Sequence, residues 1–323
     1  MKKTMPLLMA VLTMILILGF AAPASAADYD VSDSTEFGDA LVAVSADDLT
    51  IKLLNDIDYS GSVTIAYNIT FELNGYNLTV TNASGTALII NSGKELLIED
   101  GGEFNLIGGG EYINTMTVNA GGKATVTNVN HTYAGNGTAV VINSGSDVTI
   151  TGSIVAVCKH GALNANDSTV FVGGDVITTN TDGGNYGVVS GGGSVVYIDG
   201  ALRVPAGVTP IQVDNLKPEK NEYDASGTYL RYTGDIYPSY VYLLAVCEIV
   251  GSDYYNDLAD ALDDVDDGET IKLLTNINYN TGIYIAGISI TFDVNDFILN
   301  VTCLDDNVTG NGDALEVDDD GMV

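Results

Sequence analysis

The chain predicts an all-β fold: a right-handed parallel β-helix solenoid opened by a short N-terminal capping helix. Three observations predict it. Short apolar alternations recur at a step of about 23 to 29 residues, most near 23, which is a solenoid period. Turns rich in Gly, Asn and Ser separate them at every step. No helix-length pattern lies between the alternations from Val63 to Asp214, so coil stacks directly on coil, without βαβ crossovers.

The elements follow in chain order. Lys2 and Lys3 precede an apolar run from Met5 to Ala22 that ends in Pro23, Ala24, Ser25 and Ala26. This is the pattern of a secretory signal peptide with a small-residue cleavage site after Ala26 or Ala27. The run falls short of the ~20 residues that cross a bilayer, and no later run is longer, so the chain is expected to be secreted or at the cell surface and not transmembrane. Next, Asp33 and Glu36 form a capping-box pattern ahead of Phe37, Ala40, Leu41 and Val44, an apolar stripe at i, i+3, i+4 and i+7. The simplest role for that helix is to cover the apolar end of the solenoid, as terminal repeats must.

The coil region repeats TALIINSG from Thr86, TMTVNAG from Thr115, TAVVINSG from Thr138, GALNANDS from Gly161 and YGVVSGGG from Tyr186. Aligning Ala87, Thr115, Ala139, Ala162 and Gly187 makes one coil a strand, a turn, a second strand and a looser return. Asn91, Asn119, Asn143 and Asn166 then share one place, where Asn suits left-handed turns and can bond along a stack.

A longer repeat lies over the short one. IKLLNDIDY from Ile51 returns as IKLLTNINY from Ile271, about 220 residues on, and Leu258, Ala261, Leu262 and Val265 repeat the helical stripe. VTIAYNITFELNGYNLTV from Val63 is echoed by IYIAGISITFDVNDFILNV from Ile283, and GDALEVDDDG from Gly312 matches GTALIINSG from Gly85. The organisation is therefore a signal peptide at 1–26, a β-helix module at 27–216, a β-rich connector at 217–250 and a second, truncated module at 251–323. Further modules of a longer parent chain are expected.

Composition bounds the partners. Apolar residues make up 46% of the chain and the mean hydropathy is +0.21, so a packed core is expected. Acidic residues number 43 against 11 basic, for a formal net charge of −32, which disfavours nucleic acid because binding it needs a basic footprint. The Asp-rich turns could hold Ca²⁺ weakly or could only solvate the surface; the loop spacing of the known calcium repeats is missing, and no other cofactor is implied. Cys158, Cys247 and Cys303 are too few and too widely spaced for a disulfide framework or a zinc site and read as buried small hydrophobes, with one bridge and one free thiol as the other arrangement.

The order of a YxxLxxALxxxxDGxTIxLLxxI helix, strands around ITFxLNGYxLTV and Gly/Asn-rich coils resembles the parallel β-helix proteins of the pectate-lyase-like superfamily. More narrowly, it is similar to the tandem modules of large bacterial, mostly Firmicute, surface proteins. The resemblance covers nearly the whole mature chain and implies surface display with polysaccharide or host glycan as the commonest ligand class. It specifies fold far better than function, since the superfamily holds lyases, glycosidases, sugar-binding modules and adhesins.

The residues argue against chemistry. Arg203 in ALRVPAG matches half of the RxPxxR signature of pectate lyases, but Val208 stands where the second Arg belongs, so a salt-bridged or solvated Arg is expected. Asp147, Asp167, Asp199 and Asp214 sit mostly in turns, and the paired and DG-containing motifs of polygalacturonase-type hydrolases are not evident in the coil region. His131 and His160 occupy non-equivalent places in their coils and lack a nucleophile motif. The candidate ligand-binding residues are the connector tyrosines Tyr229, Tyr232, Tyr237 and Tyr240, in a cluster with Tyr223 and Tyr242, either as a glycan platform or as packing between modules. The expected function is a non-enzymatic adhesin-like or structural module presenting a glycan- or host-binding face; the alternatives are a polysaccharide-active enzyme and a calcium-dependent carbohydrate-binding module.

Overall fold

The computed structural model describes residues 29–180, 186–216, 222–223, 229–234, 239–302 and 314–317. Its described part is a parallel β-solenoid with two short helices, α1 (Ser34–Ala43) and α2 (Leu258–Asp264). The signal peptide expected at 1–26, Tyr237 and Cys303 lie outside the described residues. No helix among the described residues is long and apolar enough to cross a membrane.

Each coil of the first module carries three strands rather than two. The first coil consists of Leu49–Leu53, Ile57–Ser60 and Val63–Ile65, and the stacked coils build three parallel sheets. Sheet 1 runs from Tyr29–Val31 through Leu49–Leu53 to Val195–Ile198 and on into the connector; sheet 2 runs from Ile57–Ser60 to Leu202–Arg203, and sheet 3 from Val63–Ile65 to Thr209–Val213. What the sequence presents as a looser return is sheet 2. Segments such as Ile154–Ala156 and Val176–Thr178 are only three residues long, too short to show a period of two by themselves.

The sequence alignment of coils is the register of sheet 3. Leu88 pairs with Met116, Met116 with Val140, Val140 with Leu163 and Leu163 with Val188, each one residue past the aligned Ala87, Thr115, Ala139, Ala162 and Gly187. A one-residue slip would turn every Ile and Val of a strand outward, so burial of one face fixes this register. Inward residues fill one continuous core from Val31 to Ala245, and a second cluster, from Cys247 to Ile290, fills the second module.

Helix α1 closes the first end. Asp33 accepts hydrogen bonds from the Thr35 and Glu36 amides at 2.8 and 2.9 Å, while the Glu36 carboxylate reaches back to the Ser32 amide at 2.7 Å, one residue before the cap. This satisfies orphan donors of the first turn. The helix lowers Phe37, fully buried, onto the first coils, edge-on to Tyr59 at 5.2 Å and to Phe71 at 5.5 Å; Phe71 meets Phe104 at 5.7 Å.

Side-chain rungs tie successive coils together, and the second module repeats them. Asp47 accepts from the Asn68 amide and Asp56 from the Asn77 amide at 2.6 and 2.7 Å. In the second copy Asp267 accepts from Ser289 and Asn276 from Ile298, both at 2.8 Å. Asn74 donates to Leu53 O, as Asn295 does to Leu273 O. The repeat seen about 220 residues apart is thus a repeat of hydrogen bonds as well as of letters.

The connector is part of the solenoid. Tyr240–Leu244 pairs in parallel with Val195–Ile198, and Tyr229–Thr233 folds back antiparallel on its outer edge. Cys247–Ile249, just inside the connector boundary drawn from sequence, pairs with Thr270–Leu273 of the second module. Asn256 joins the modules: its amide donates to Gly200 O and Leu244 O and accepts from the Leu202 amide.

Candidate functional site

Strand alternation sorts the candidate tyrosines. Along Tyr229–Thr233 the odd positions face out and the even ones in, because side chains alternate with a period of two. Tyr229 and Tyr240 therefore reach the outer face of sheet 1. Tyr232 turns inward with Leu230 and packs against the core at the module junction. Three residues apart in one strand, Tyr229 and Tyr232 place their side chains on opposite faces, so the cluster read from sequence is divided.

Two further residues complete the outer group. Register carries Thr149 to Phe171, Phe171 to Tyr197 and Tyr197 to Tyr242 in one outward column. The Tyr197 and Tyr242 rings stack at 4.7 Å and 11°, the spacing of adjacent strands, with Tyr229 edge-on to both and Tyr240 tilted against Tyr242. The Tyr229 hydroxyl donates to Asp199 at 2.7 Å; burial raises the Asp199 carboxyl above its ordinary value, against the lowering effect of that bond. The Arg231 guanidinium lies 6.0 Å from the Tyr240 ring centre. Stacked in this way, Tyr197 and Tyr242 turn ring faces toward each other and pack the hairpin onto the last coil.

Sheet 3 carries a different surface. Its outward column reads Thr64, Ile89, Thr117, Val141, Asn164, Val189, Gln212, one residue per coil, and the last four lie in one groove. Asn143, Asn166, Gly191 and Asp214 flank it at the C-terminal ends of the strands, and His160 and Tyr186 flank it at the N-terminal ends, enclosing an open groove of about 780 Å³. No other described residue engages the Asn164 or Gln212 side-chain amide. Asp214 anchors the far end: its Oδ1 accepts from the Gly192 amide at 3.2 Å and the Ser239 hydroxyl at 2.8 Å. Its φ of 49° and that of Asn215, 68°, are left-handed values that Asp and Asn tolerate in turns.

The column Asn91, Asn119, Asn143 and Asn166 stands at the turns but does not take the left-handed conformation expected of it: the positive φ falls two residues later, on Gly93, Gly121 and Gly145, and one later, on Asp167. Its backbone amides bond to the coil before, as Asn119 to Ile90 O at 2.9 Å, and Asn143 adds a side-chain bond to Val118 O at 3.0 Å. Asn143 and Asn166 also edge the groove. The sequence offered this column as turn geometry with a hydrogen-bonded stack, or else as a ligand-facing ladder, and did not single out Asn164 or Gln212, since one polar residue inside each short strand carries no signal until register aligns it with its neighbours.

A cleft of about 500 Å³ lies at the module junction, lined by Tyr232, Tyr255, Asp253, Asp260, Asp263 and Asp264 among others. Burial first, then Asp253 and Asp260, push the Tyr232 hydroxyl up to about 12. Desolvation and the neighbouring Asp257, Asp263 and Asp264 raise the Asp260 carboxyl. Among the described residues no group of three or more His, Cys, Asp or Glu is placed to hold a metal ion.

Arg203 is salt-bridged, as its sequence context suggests, to Asp257 at 3.1 Å and Asp175 at 3.5 Å. The two histidines are far apart in role: His131 is fully buried in the core, with Nδ1 3.0 Å from the Thr115 hydroxyl, and His160 borders the sheet 3 groove. Cys158 and Cys247 are free, buried thiols. Comparison of the chain with protein-family models, curated proteins and solved structures found no match.

Proposed function

We propose that this chain is a non-enzymatic module acting outside the cell, secreted or on the surface, whose stiff, acidic solenoid presents a glycan-binding face. The observation that carries the reading is the sheet 3 groove, in which the side-chain amides of Asn164 and Gln212, two coils apart in one outward column, are engaged by no other described residue. Side-chain amides both donate and accept, which suits the vicinal hydroxyls of sugars. The leader-like N-terminus supports export. The tandem modules support kinship with the pectate-lyase-like β-helices of bacterial surface proteins, as spacers or adhesins built from many copies. The salt-bridged state of Arg203 supports the non-enzymatic side of the reading, since a lyase needs a cation free to meet the substrate carbanion.

The test is a glycan and polysaccharide screen on the purified chain, with and without Ca²⁺, reading binding together with unsaturated and reducing-end products. Binding without turnover is expected. Products that disappear with Arg203→Ala or Asp199→Asn would replace this reading with a polysaccharide-active enzyme. Binding that requires Ca²⁺ would make it a calcium-dependent carbohydrate module, and no binding in any arm would leave a structural spacer.

A further inference from the structure

We infer that the sheet 3 groove takes an extended, uncharged β-1,4-linked polysaccharide laid along the solenoid axis, one disaccharide to every two coils. The inference rests on the glycan-binding reading above and narrows it to a ligand class and a direction. Within the groove the outward column alternates an apolar and an amide side chain coil by coil, Val141, Asn164, Val189, Gln212, and beyond it Thr117, Ile89 and Thr64 carry on the column without an amide. Coils stack at the strand spacing of about 4.8 Å, so the pattern repeats every ~9.6 Å. That is close to the length of one disaccharide in an extended β-1,4-linked chain, where successive sugars are turned by half a revolution and alternate ones offer the same face. Each Val would then meet the C–H face of a ring, and each amide the hydroxyls of the next.

Charge selects among such chains. Asp214 closes one end of the groove and the protein carries a formal charge of −32, so a polyuronate would be repelled while a neutral chain would not. Linkage selects further. An α-1,4-linked glucan coils, and a coiled chain loses register with a straight column after one or two sugars. The groove spans four coils, so affinity should grow up to about two disaccharides and then level off.

Calorimetric titration of the full chain with cello-, manno- and chito-oligosaccharides, against malto-oligosaccharides of equal length, tests this. At least one β-linked series should bind, with affinity rising from two sugars to four and flat beyond, and the malto series should not bind. Asn164→Ala and Gln212→Ala should each weaken binding about tenfold, the worth of one lost hydrogen-bonding partner. Val189→Asp should abolish it, and Thr125→Ala on the outer face of sheet 1 should leave it unchanged. All four side chains point out of the sheets, and thermal melts check that each variant is folded. Equal binding of the malto series, or full-strength binding by both amide variants, overturns the inference. If glycans of another class still bind in the screen, the glycan-binding function stands without this groove; if none binds, both fall.

Discussion

His131 shows what one misplaced polarity costs in a solenoid core. It sits in an inward column of sheet 2, in register between Gly108 and Ala156, whose small side chains leave room for the ring. Nδ1 meets the Thr115 hydroxyl, while Nε2 is buried with no hydrogen-bond partner among the described residues. Burial lowers the His131 pKa below its ordinary value, the weaker raising effect coming from a backbone bond. The folded state therefore holds the neutral ring, and below about pH 6.5 the unfolded chain binds the extra proton. Stability is full above that pH and falls as pH drops through it. Thermal melts between pH 8 and pH 5 should show this decline, and His131→Gln, which keeps a polar side chain but does not titrate, should flatten it above the carboxylate range. The two buried thiols behave in the opposite sense: burial pushes Cys158 up to about 11 and Cys247 up to about 12. Neither should react with a thiol reagent at pH 8 in the folded protein, and both should react at once after denaturation.

At the scale of elements, the helices act as lids. Phe37 is the one large side chain that α1 sends fully into the core, and it touches the first coil through Tyr59 and the second through Phe71. Phe37→Ala should cost about 3–5 kcal/mol in a denaturant titration, more than a helix-surface change, because it opens a cavity at the solenoid end. Asp33→Ala removes both side-chain caps of the first turn and should cost about 1 kcal/mol. The stripe that predicts α1 is legible because it repeats every three to four residues over ten; α2 repeats it with Leu258 in place of Phe37 and so lacks the aromatic contact. Strands of three residues give no such signal, and sheet 2 is legible only as the shape that closes each coil.

At the scale of the molecule, Asn256 is one of the residues that bond the two cores together, beside the Arg203–Asp257 ion pair. Asn256 is 8% exposed and satisfies three backbone groups, two in the last coil of the first module and one at the end of the connector strand. In stacked repeats stability is a sum of units and nearest-neighbour interfaces. Asn256→Ala leaves those buried groups unpaired, each worth about 1–3 kcal/mol. Hydrogen exchange at Thr270–Leu273 should accelerate in that variant while exchange at Val140–Ile142 stays as it was.

The sequence by itself determined the solenoid, its step, the alignment of coils on sheet 3, the capping helices and the tandem copy. All of these follow from local periodicity and from identity between segments, which survive in a linear string. It also aligned the Asn residues at the turns, although the left-handed residues there are Gly93, Gly121, Gly145 and Asp167, and it left Arg203 as salt-bridged or solvated, which the structure resolves to salt bridges with Asp257 and Asp175. Only the tertiary structure decided the third sheet, the inward turn of Tyr232 away from Tyr229 and Tyr240, and the groove built on Asn164 and Gln212. The physical reason is that a surface running along a solenoid axis is assembled from residues one coil apart, and their alignment exists only once hydrogen-bond register has set which residue stands above which.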